Sequence, residues 1–179
     1  MGRPTRRALL LCGLIAGAML FAACGAEKEV EAPEGEPIEL GPLSYNVQVT
    51  RFLNPGDLGD AAYLAGQPAA GDGQAYLGVF LTIENESNDT QDIPSDFELR
   101  DTREATFPPS PSKSPFAVEL GAAIPPEGVV PAPGTPAANG PIKGAVLLFL
   151  IDEAISENRP LKLEIPSSDG ESGAIELDI

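Results

Sequence analysis

Short segments that alternate apolar and polar residues recur along this chain, and stretches rich in Pro, Gly and Asn separate them. Tyr45, Val47 and Val49 alternate with polar residues, and residues 161–165 and 175–179 repeat the pattern near the C terminus. A period of two predicts strands with one buried face. The turn signals between them leave no convincing long helix. The sequence therefore predicts an all-β domain.

Two further segments are apolar on both faces. In residues 75–84, Leu77, Val79, Leu81 and Ile83 share one face while Tyr76 and Phe80 share the other. Residues 145–151 are almost wholly apolar. Both are expected to be central strands. With strands at 93–100 and 105–107, an edge strand at 116–120 and a helical turn over 152–157, the pattern predicts about seven strands. They would form an antiparallel β-sandwich of immunoglobulin-like size.

The N terminus has the pattern of a secretory leader. Three arginines precede an apolar stretch over residues 8–23, which as a helix would span roughly 24 Å, short of the roughly 30 Å hydrocarbon core. The stretch ends in Phe21, Ala22, Ala23 and Cys24, which resemble the lipobox of bacterial lipoproteins, although leucine is usual where Phe21 stands. The resemblance implies cleavage before Cys24 and diacylglycerol with acyl chains such as palmitate on its thiol. An ordinary leader or an uncleaved anchor is the alternative.

The proposed domain boundaries follow from composition. Residues 1–23 form the signal peptide, 24–42 an acidic tether expected to be disordered, and 43–179 one β-sandwich domain. The leader holds three of the eleven basic residues and none of the 27 acidic ones, so the mature chain carries a formal charge of −19. Such a chain should repel nucleic acid. We expect it outside the cytoplasm, anchored by lipid to the cell membrane or, in a two-membrane cell, the outer membrane.

Three segments of the predicted domain carry recognisable patterns. Residues 76–85 (YLGVFLTIEN) are a hydrophobic strand that ends in an Asn-rich turn, and residues 97–101 (FELRD) and 142–149 (IKGAVLLF) follow as later strands. In this order they resemble the telokin-like family of bacterial extracytoplasmic domains (DUF4352). The resemblance covers residues 45–179, and a Pro-rich insertion at 108–141 departs from it. It implies an immunoglobulin-like fold and an extracytoplasmic location, and no reaction.

The residue types argue against an enzyme. Histidine is absent, so no His-based catalytic pair exists, and Cys24 would be blocked by lipid. Carboxylate pairs are numerous, although none stands out, and we expect no catalytic residue, no bound metal and no cofactor beyond the covalent lipid. Calcium stays a less favoured option, because loop aspartates could supply oxygen ligands. The candidates are Asp57, Asp60, Asp72, Asp89, Asp92 and Asp96.

The Pro-rich loop 108–141 is either a surface loop or a recognition loop for a partner. Its candidate contact residues are Phe116, Val118, Pro125, Pro126, Pro131 and Pro133. The leading hypothesis is a non-catalytic binding or protein-interaction module at the membrane surface, with an envelope protein or surface glycan as partner. A calcium- or small-ligand-binding receptor or sensor is the alternative, and a carboxylate-dependent hydrolase is the third option.

Overall fold

A computed structural model describes residues 29–166 and 171–179 of the chain. The predicted leader over residues 1–23, which includes Phe21, Ala22 and Ala23, and the predicted lipidation site Cys24 lie outside this part. Within it there are twelve β-strands, one short α-helix and two 3-10 helices. In chain order these are β1 (Glu29–Pro33), β2 (Ile38–Leu40), β3 (Leu43–Leu53), α1 (Leu58–Ala61), β4 (Gln74–Asn85), β5 (Gln91–Asp92), β6 (Glu98–Arg100), β7 (Thr106–Phe107), β8 (Ala123–Ile124), β9 (Val129–Val130), a 3-10 helix (Ala137–Asn139), β10 (Ala145–Asp152), a second 3-10 helix (Glu153–Glu157), β11 (Leu161–Pro166) and β12 (Ser172–Leu177).

The strands form two main sheets. Sheet A has the order β1-β12-β11-β6-β7, and sheet B has the order β10-β4-β3-β2 with β9 also paired to β4. Strands β5 and β8 form a separate pair. Neighbours run antiparallel throughout, except that β1 is parallel to β12. The predicted all-β sandwich is confirmed, but the described residues form twelve strands and not about seven, because several strands of two or three residues are too short to show alternation in the sequence.

One apolar core lies between the two sheets. Sheet A contributes alternate residues such as Leu163 and Ile175, and sheet B contributes residues such as Val47, Leu81 and Phe149, all fully or almost fully buried. The alternation visible in the sequence places these side chains on the inner faces. The predicted strands at 45–50, 161–165 and 175–179 correspond to β3, β11 and β12.

A β-bulge lets β3 bury residues on both faces of sheet B. Its pairing with β4 shifts between Val47 and Val49. Before the shift, Tyr45 and Val47 belong to the inner core; after it, Val49 and Leu53 belong to a second cluster on the outer face. One extra residue in a strand inverts its side-chain phase, which explains why simple alternation stops after Val49.

Strand β10 lies at the edge of sheet B, not in its interior as predicted. It pairs with β4 on one side. Its other side is covered by the irregular segment 110–118, in which Ser110 N donates to Leu148 O (2.6 Å) and Val118 N donates to Val146 O (3.0 Å). The predicted edge strand at 116–120 is reduced to a single bridge, between Ala117 and Val146. Pro111 and Pro115 within this segment lack the N–H groups that a continuous ladder requires.

The fold begins earlier than the composition predicts. Residues 29–42 were expected to belong to a disordered tether, yet β1 and β2 occupy most of them. Ile38 and Leu40 are buried, and β1 pairs with β12 over five residues. Long-range pairing supplies the backbone hydrogen bonds that this Glu-rich segment cannot obtain locally, so local composition is a poor guide here.

Smaller elements also differ from the expectation. The predicted strand at 93–100 is shortened to β6, and residues 57–73, where the sequence predicts no regular element, contain α1. The helical turn predicted at 152–157 is confirmed as the second 3-10 helix. None of the helices in the described part is long and apolar enough to cross a bilayer.

Candidate functional site

A second apolar layer covers the outer face of sheet B. Phe80 and Tyr76 of β4 and Leu148 of β10 are buried there beneath Tyr63 and Leu64, which follow α1. The rings of Tyr63 and Phe80 meet edge-on with their centroids 4.9 Å apart. Residues 75–84 are therefore apolar on both faces because one face packs in the core between the sheets and the other lies beneath this second layer.

An ion pair holds α1 against sheet B. The carboxylate of Asp60 is almost completely buried and accepts hydrogen bonds from the guanidinium of Arg51, one of them from Nη1 at 3.2 Å. It also accepts one from the backbone N–H of Asn54 at 2.9 Å. At the start of the helix, the side chain of Asp57 accepts from Gly59 N at 2.7 Å. Charge-assisted hydrogen bonds therefore fix this short helix, which has too few turns to be stable alone.

A cleft of about 940 Å³ opens between this layer and one end of sheet B. The end of β3, the start of β4, the segment after α1 and the second 3-10 helix form its walls. The lining residues are Phe52, Leu53, Asn54, Pro55, Ala61, Leu64, Gln67, Pro68, Ala69, Ala70, Gln74, Ala75, Tyr76, Glu153 and Ser156. Its volume lies in the range of small-molecule pockets, roughly 300–1,000 Å³.

Internal hydrogen bonds shape this cleft. Tyr76 Oη donates to Pro68 O at 3.1 Å, and Gln67 Nε2 donates to Pro111 O at 2.8 Å. Burial raises the pKa of the Tyr76 phenol, so it stays neutral at physiological pH. Of the described lining residues, only Glu153 carries a charge. The cleft therefore offers an apolar surface with one carboxylate at its border.

The acidic residues considered for calcium do not come together. Asp60 is engaged with Arg51 and Asp57 caps α1, while Asp72, Asp89, Asp92 and Asp96 are exposed. Among residues 29–166 and 171–179, there is no group of three or more carboxylates near enough to share a metal ion.

The residues proposed for a partner loop divide into two groups. Val118 is buried, and Phe116 packs edge-on against Tyr63 with ring centroids 5.0 Å apart. Both side chains therefore serve internal packing. The others lie at the surface: Pro125, Pro126 and Pro133 are exposed, and Pro131 is half-buried.

Sequence reasoning did not identify Asn85 as the residue that holds one end of the sandwich. Its buried side-chain amide donates to Asp89 O (2.8 Å), Ile124 O (3.1 Å) and Pro125 O (2.9 Å). Its Oδ1 accepts from the hydroxyl of Ser87 at 2.7 Å. Its position at the end of an apolar strand was the available signal, because Asn favours such side chain-to-backbone turns.

Asp101 has a similar role at the opposite end, and its charge makes the fold sensitive to pH. Its Oδ1 accepts from Ala105 N (2.9 Å) and Arg103 N (2.8 Å), and its Oδ2 accepts from Asn158 Nδ2 (3.1 Å). These hydrogen bonds, that from Ala105 foremost, lower the pKa of the Asp101 carboxyl below its usual value.

We expect Asp101→Ala to lower the melting temperature at pH 7 and to lower it less in acid. A depressed folded-state pKa stabilises the protein above the unfolded-state value, about 3.9, and this contribution disappears as the pH falls through the folded-state pKa. Circular dichroism from pH 7 to pH 2 should show that the melting temperatures of the parent protein and of Asp101→Ala become closer as the pH falls. Asp96→Ala, at an exposed carboxylate, is the control. A difference that stays constant with pH would refute the charge argument.

Comparison with known proteins supports the fold. No protein-family model and no curated protein matches the chain. Several solved structures are similar, among them three with TM-scores of 0.50 or 0.51. One is an uncharacterised β-sandwich protein from Clostridium difficile 630, with a TM-score of 0.51 and 13% identity, covering 86% of this chain and 97% of that one. Another is ycdA of Bacillus subtilis, described as a candidate lipoprotein, with a TM-score of 0.51 and 14% identity, covering 82% of this chain but 39% of that one.

The third is a functionally unknown protein from Listeria monocytogenes EGD-e, with a TM-score of 0.50 and 12% identity, covering 82% of this chain and 83% of that one. At these identities the likeness concerns the fold alone. The chain thus shares the β-sandwich fold of these bacterial proteins.

Proposed function

We propose that this protein is a lipid-anchored, non-catalytic binding module whose cleft receives a segment of a partner protein. The single observation that carries the proposal is the cleft of about 940 Å³ at one end of sheet B. Its apolar walls suit apolar side chains, and its framework is held by the Arg51–Asp60 pair. A binding site on a rigid sheet end needs little reorganisation when the partner binds.

The charge of the cleft favours a basic partner segment. Glu153 is the charged residue among the described lining residues, and the mature chain as a whole is strongly acidic. Opposite charge accelerates encounter and selects among partners. Next to the cleft, at the start of α1, Leu58 has 94% of its surface exposed, which adds apolar area at the border. The expected occupant therefore carries apolar side chains and at least one Lys or Arg.

The membrane anchor is part of the same proposal. Cys24, preceded by Phe21, Ala22 and Ala23, would carry the lipid and hold the domain outside the cytoplasm. Two or three acyl chains suffice for stable anchoring. A protein of the same fold, ycdA, is itself described as a candidate lipoprotein. When cells are grown with a palmitate analogue, we expect the parent protein to incorporate it and the Cys24→Ala variant not to incorporate it.

We also infer that the domain is of the telokin-like type. The three resembling segments lie on or next to β4, β6 and β10. The Asn that ends the first of them, Asn85, is the buried residue that holds the following turn. A residue with this role explains why an Asn should follow a hydrophobic strand in such domains.

Photo-cross-linking in cells tests the cleft directly. A photoreactive amino acid at Ala69, exposed in the cleft lining, should capture one partner from the full lipidated chain. The same group at Ala123, exposed in β8, is the matched control and should not capture it. Equal capture at both positions would contradict a cleft-specific partner, and capture of no protein at Ala69 would redirect attention to small ligands.

We expect Glu153→Lys to weaken capture at Ala69 about tenfold, which corresponds to roughly 1.4 kcal/mol. The substitution reverses the charge of an exposed side chain and should leave the fold intact. Glu157→Lys, an exposed acid in the same 3-10 helix that does not line the cleft, is the control for general charge effects. If both variants reduce capture equally, the local carboxylate is not what recognises the partner.

A further inference from the structure

We propose that a short link to the lipid holds one end of the sandwich next to the membrane. The cleft, which lies at the opposite end, then faces the aqueous phase. This inference rests on the proposed lipidation of Cys24 and on the proposed role of the cleft. The partner must therefore approach the domain from the side that faces away from the anchoring membrane.

The link is short because β1 starts at Glu29. Four residues, 25–28, separate Cys24 from β1. A chain advances at most about 3.6 Å per residue, so Glu29 lies within roughly 18 Å of the lipidated residue, whatever conformation the link adopts. The sequence-based expectation of a tether reaching to residue 42 would have allowed more than three times that distance.

The first strand is built firmly into sheet A. It pairs in parallel with β12 from Glu29 opposite Ser172 to Pro33 opposite Glu176. Two ion pairs reach it from strands further inside the sheet: Lys162 Nζ donates to Glu31 Oε1 at 2.8 Å, and Arg100 Nη2 lies 3.3 Å from Glu29 Oε1. A restraint on Glu29 therefore acts on the whole domain.

Strand pairing shows which end of the sandwich lies near Glu29. Val30 pairs with Gly173, and the backbone of Gly173 lies against the side chains of Ile38 and Leu40. Leu40 pairs with Leu43 across the β2–β3 turn. We call this the anchor end; it also includes Asn85, which pairs with Leu43, and the turn that Asn85 holds.

The cleft lies at the other end of the same strands. There the start of β4 meets the ends of β3 and β10: Tyr76 pairs with Leu53, and Gln74 pairs with Asp152. Strand β4 runs between the two ends with 12 residues, a length of about 36 Å. That distance exceeds the Debye length of about 8 Å, so headgroup charges do not influence a ligand in the cleft.

Charge does not draw the anchor end towards the lipid, so only the link can bring it there. The anchor end displays the exposed carboxylates of Glu39, Glu86, Asp89, Asp92 and Asp96. The mature chain as a whole is acidic, so anionic headgroups repel it. The length of the link then decides the orientation.

Fluorescence quenching on vesicles tests the orientation with the full lipidated chain. The leader carries away Cys12 and lipid blocks Cys24, so an introduced cysteine is the single reactive thiol. We would attach a fluorophore in Asp89→Cys at the anchor end and in Ala69→Cys at the cleft, both exposed. Nitroxide-labelled headgroups should quench the first label several-fold more than the second. Equal quenching, or stronger quenching at the cleft, would overturn the proposal.

The matched control inserts twelve Gly and Ser residues between Cys24 and Glu29. A flexible link of that length should reduce the difference between the two labels, because the domain can then turn over. An unchanged difference would show that the short link is not the cause and would overturn the proposal. If the parent chain does not partition into vesicles, the proposed lipid anchor is wrong. If the cleft does not bind a partner, only the capture at Ala69 is lost and the quenching result is unaffected.

Discussion

Replacing Gly144 with alanine should destabilise the domain by about 3 kcal/mol or more, which is a large part of the total stability of a domain this size. Gly144 has a φ of 107° and is buried immediately before β10. A β-carbon there would lie 2.9 Å from both the backbone N and the backbone O of Leu81. The substitution therefore combines a disfavoured backbone angle with a clash against the central strand β4, which cannot move without disturbing both sheets.

Urea unfolding followed by circular dichroism would measure this as a midpoint lowered by at least about 1 M, given slopes of roughly 1–3 kcal/mol per molar. Gly134→Ala is the matched control. Its φ of 84° is also positive, but a β-carbon there would meet nothing within 4 Å. It should cost about 1 kcal/mol, the strain alone. Equal costs at the two sites would show that close approach to β4 is not important.

Truncation of Phe80 to alanine should cost about 3–5 kcal/mol, as for other large buried aromatic residues. This value is unexpected for an outer-face residue of an ordinary two-sheet sandwich, where such a side chain would be in contact with water. Here Phe80 is fully buried beneath Tyr63, with ring centroids 4.9 Å apart. The decrease in the free energy of unfolding would measure how well the residues after α1 cover sheet B, and hence how firmly one wall of the cleft is held.

Leu58→Ala is the control, because Leu58 is 94% exposed on α1 and its truncation should change stability by no more than about 0.5 kcal/mol. Both variants can be compared by thermal and urea unfolding. A loss below about 1 kcal/mol for Phe80→Ala would mean that the second apolar layer is open, and the cleft would then lack the rigid wall on which the proposed function depends.

The strands with clear alternation could be predicted because their pattern records local packing. In β11, Leu161, Leu163 and Ile165 are all buried, and in β12 Ile175 and Leu177 are buried. Each such strand needs only a sheet with one apolar face, whichever strands are its neighbours. The antiparallel sandwich followed from their number and spacing.

The cleft could not be predicted in the same way. Phe52, Leu64 and Glu153 are far apart in the sequence and none belongs to a motif. They meet because the bulge in β3 turns Leu53 outward, and because Arg51 holds Asp60 so that the segment after α1 folds back over the sheet. Residues 54–57 (NPGD) have the composition of a turn, although nothing in the sequence indicates the surface on which that turn packs.

The sequence by itself determined the class of fold, the inner-face core and the acidic character of the chain, because alternation and charge are local properties that survive in any β-sandwich. The tertiary structure alone decided the parallel docking of β1, the covered outer face of sheet B and the cleft at its end. Each of these depends on contacts between segments far apart in the chain: β1 with β12, Arg51 with Asp60, and Phe80 with Tyr63. Whether such contacts offset the entropy of ordering a Glu-rich or Gly-rich segment is settled only when the partners are brought together in space.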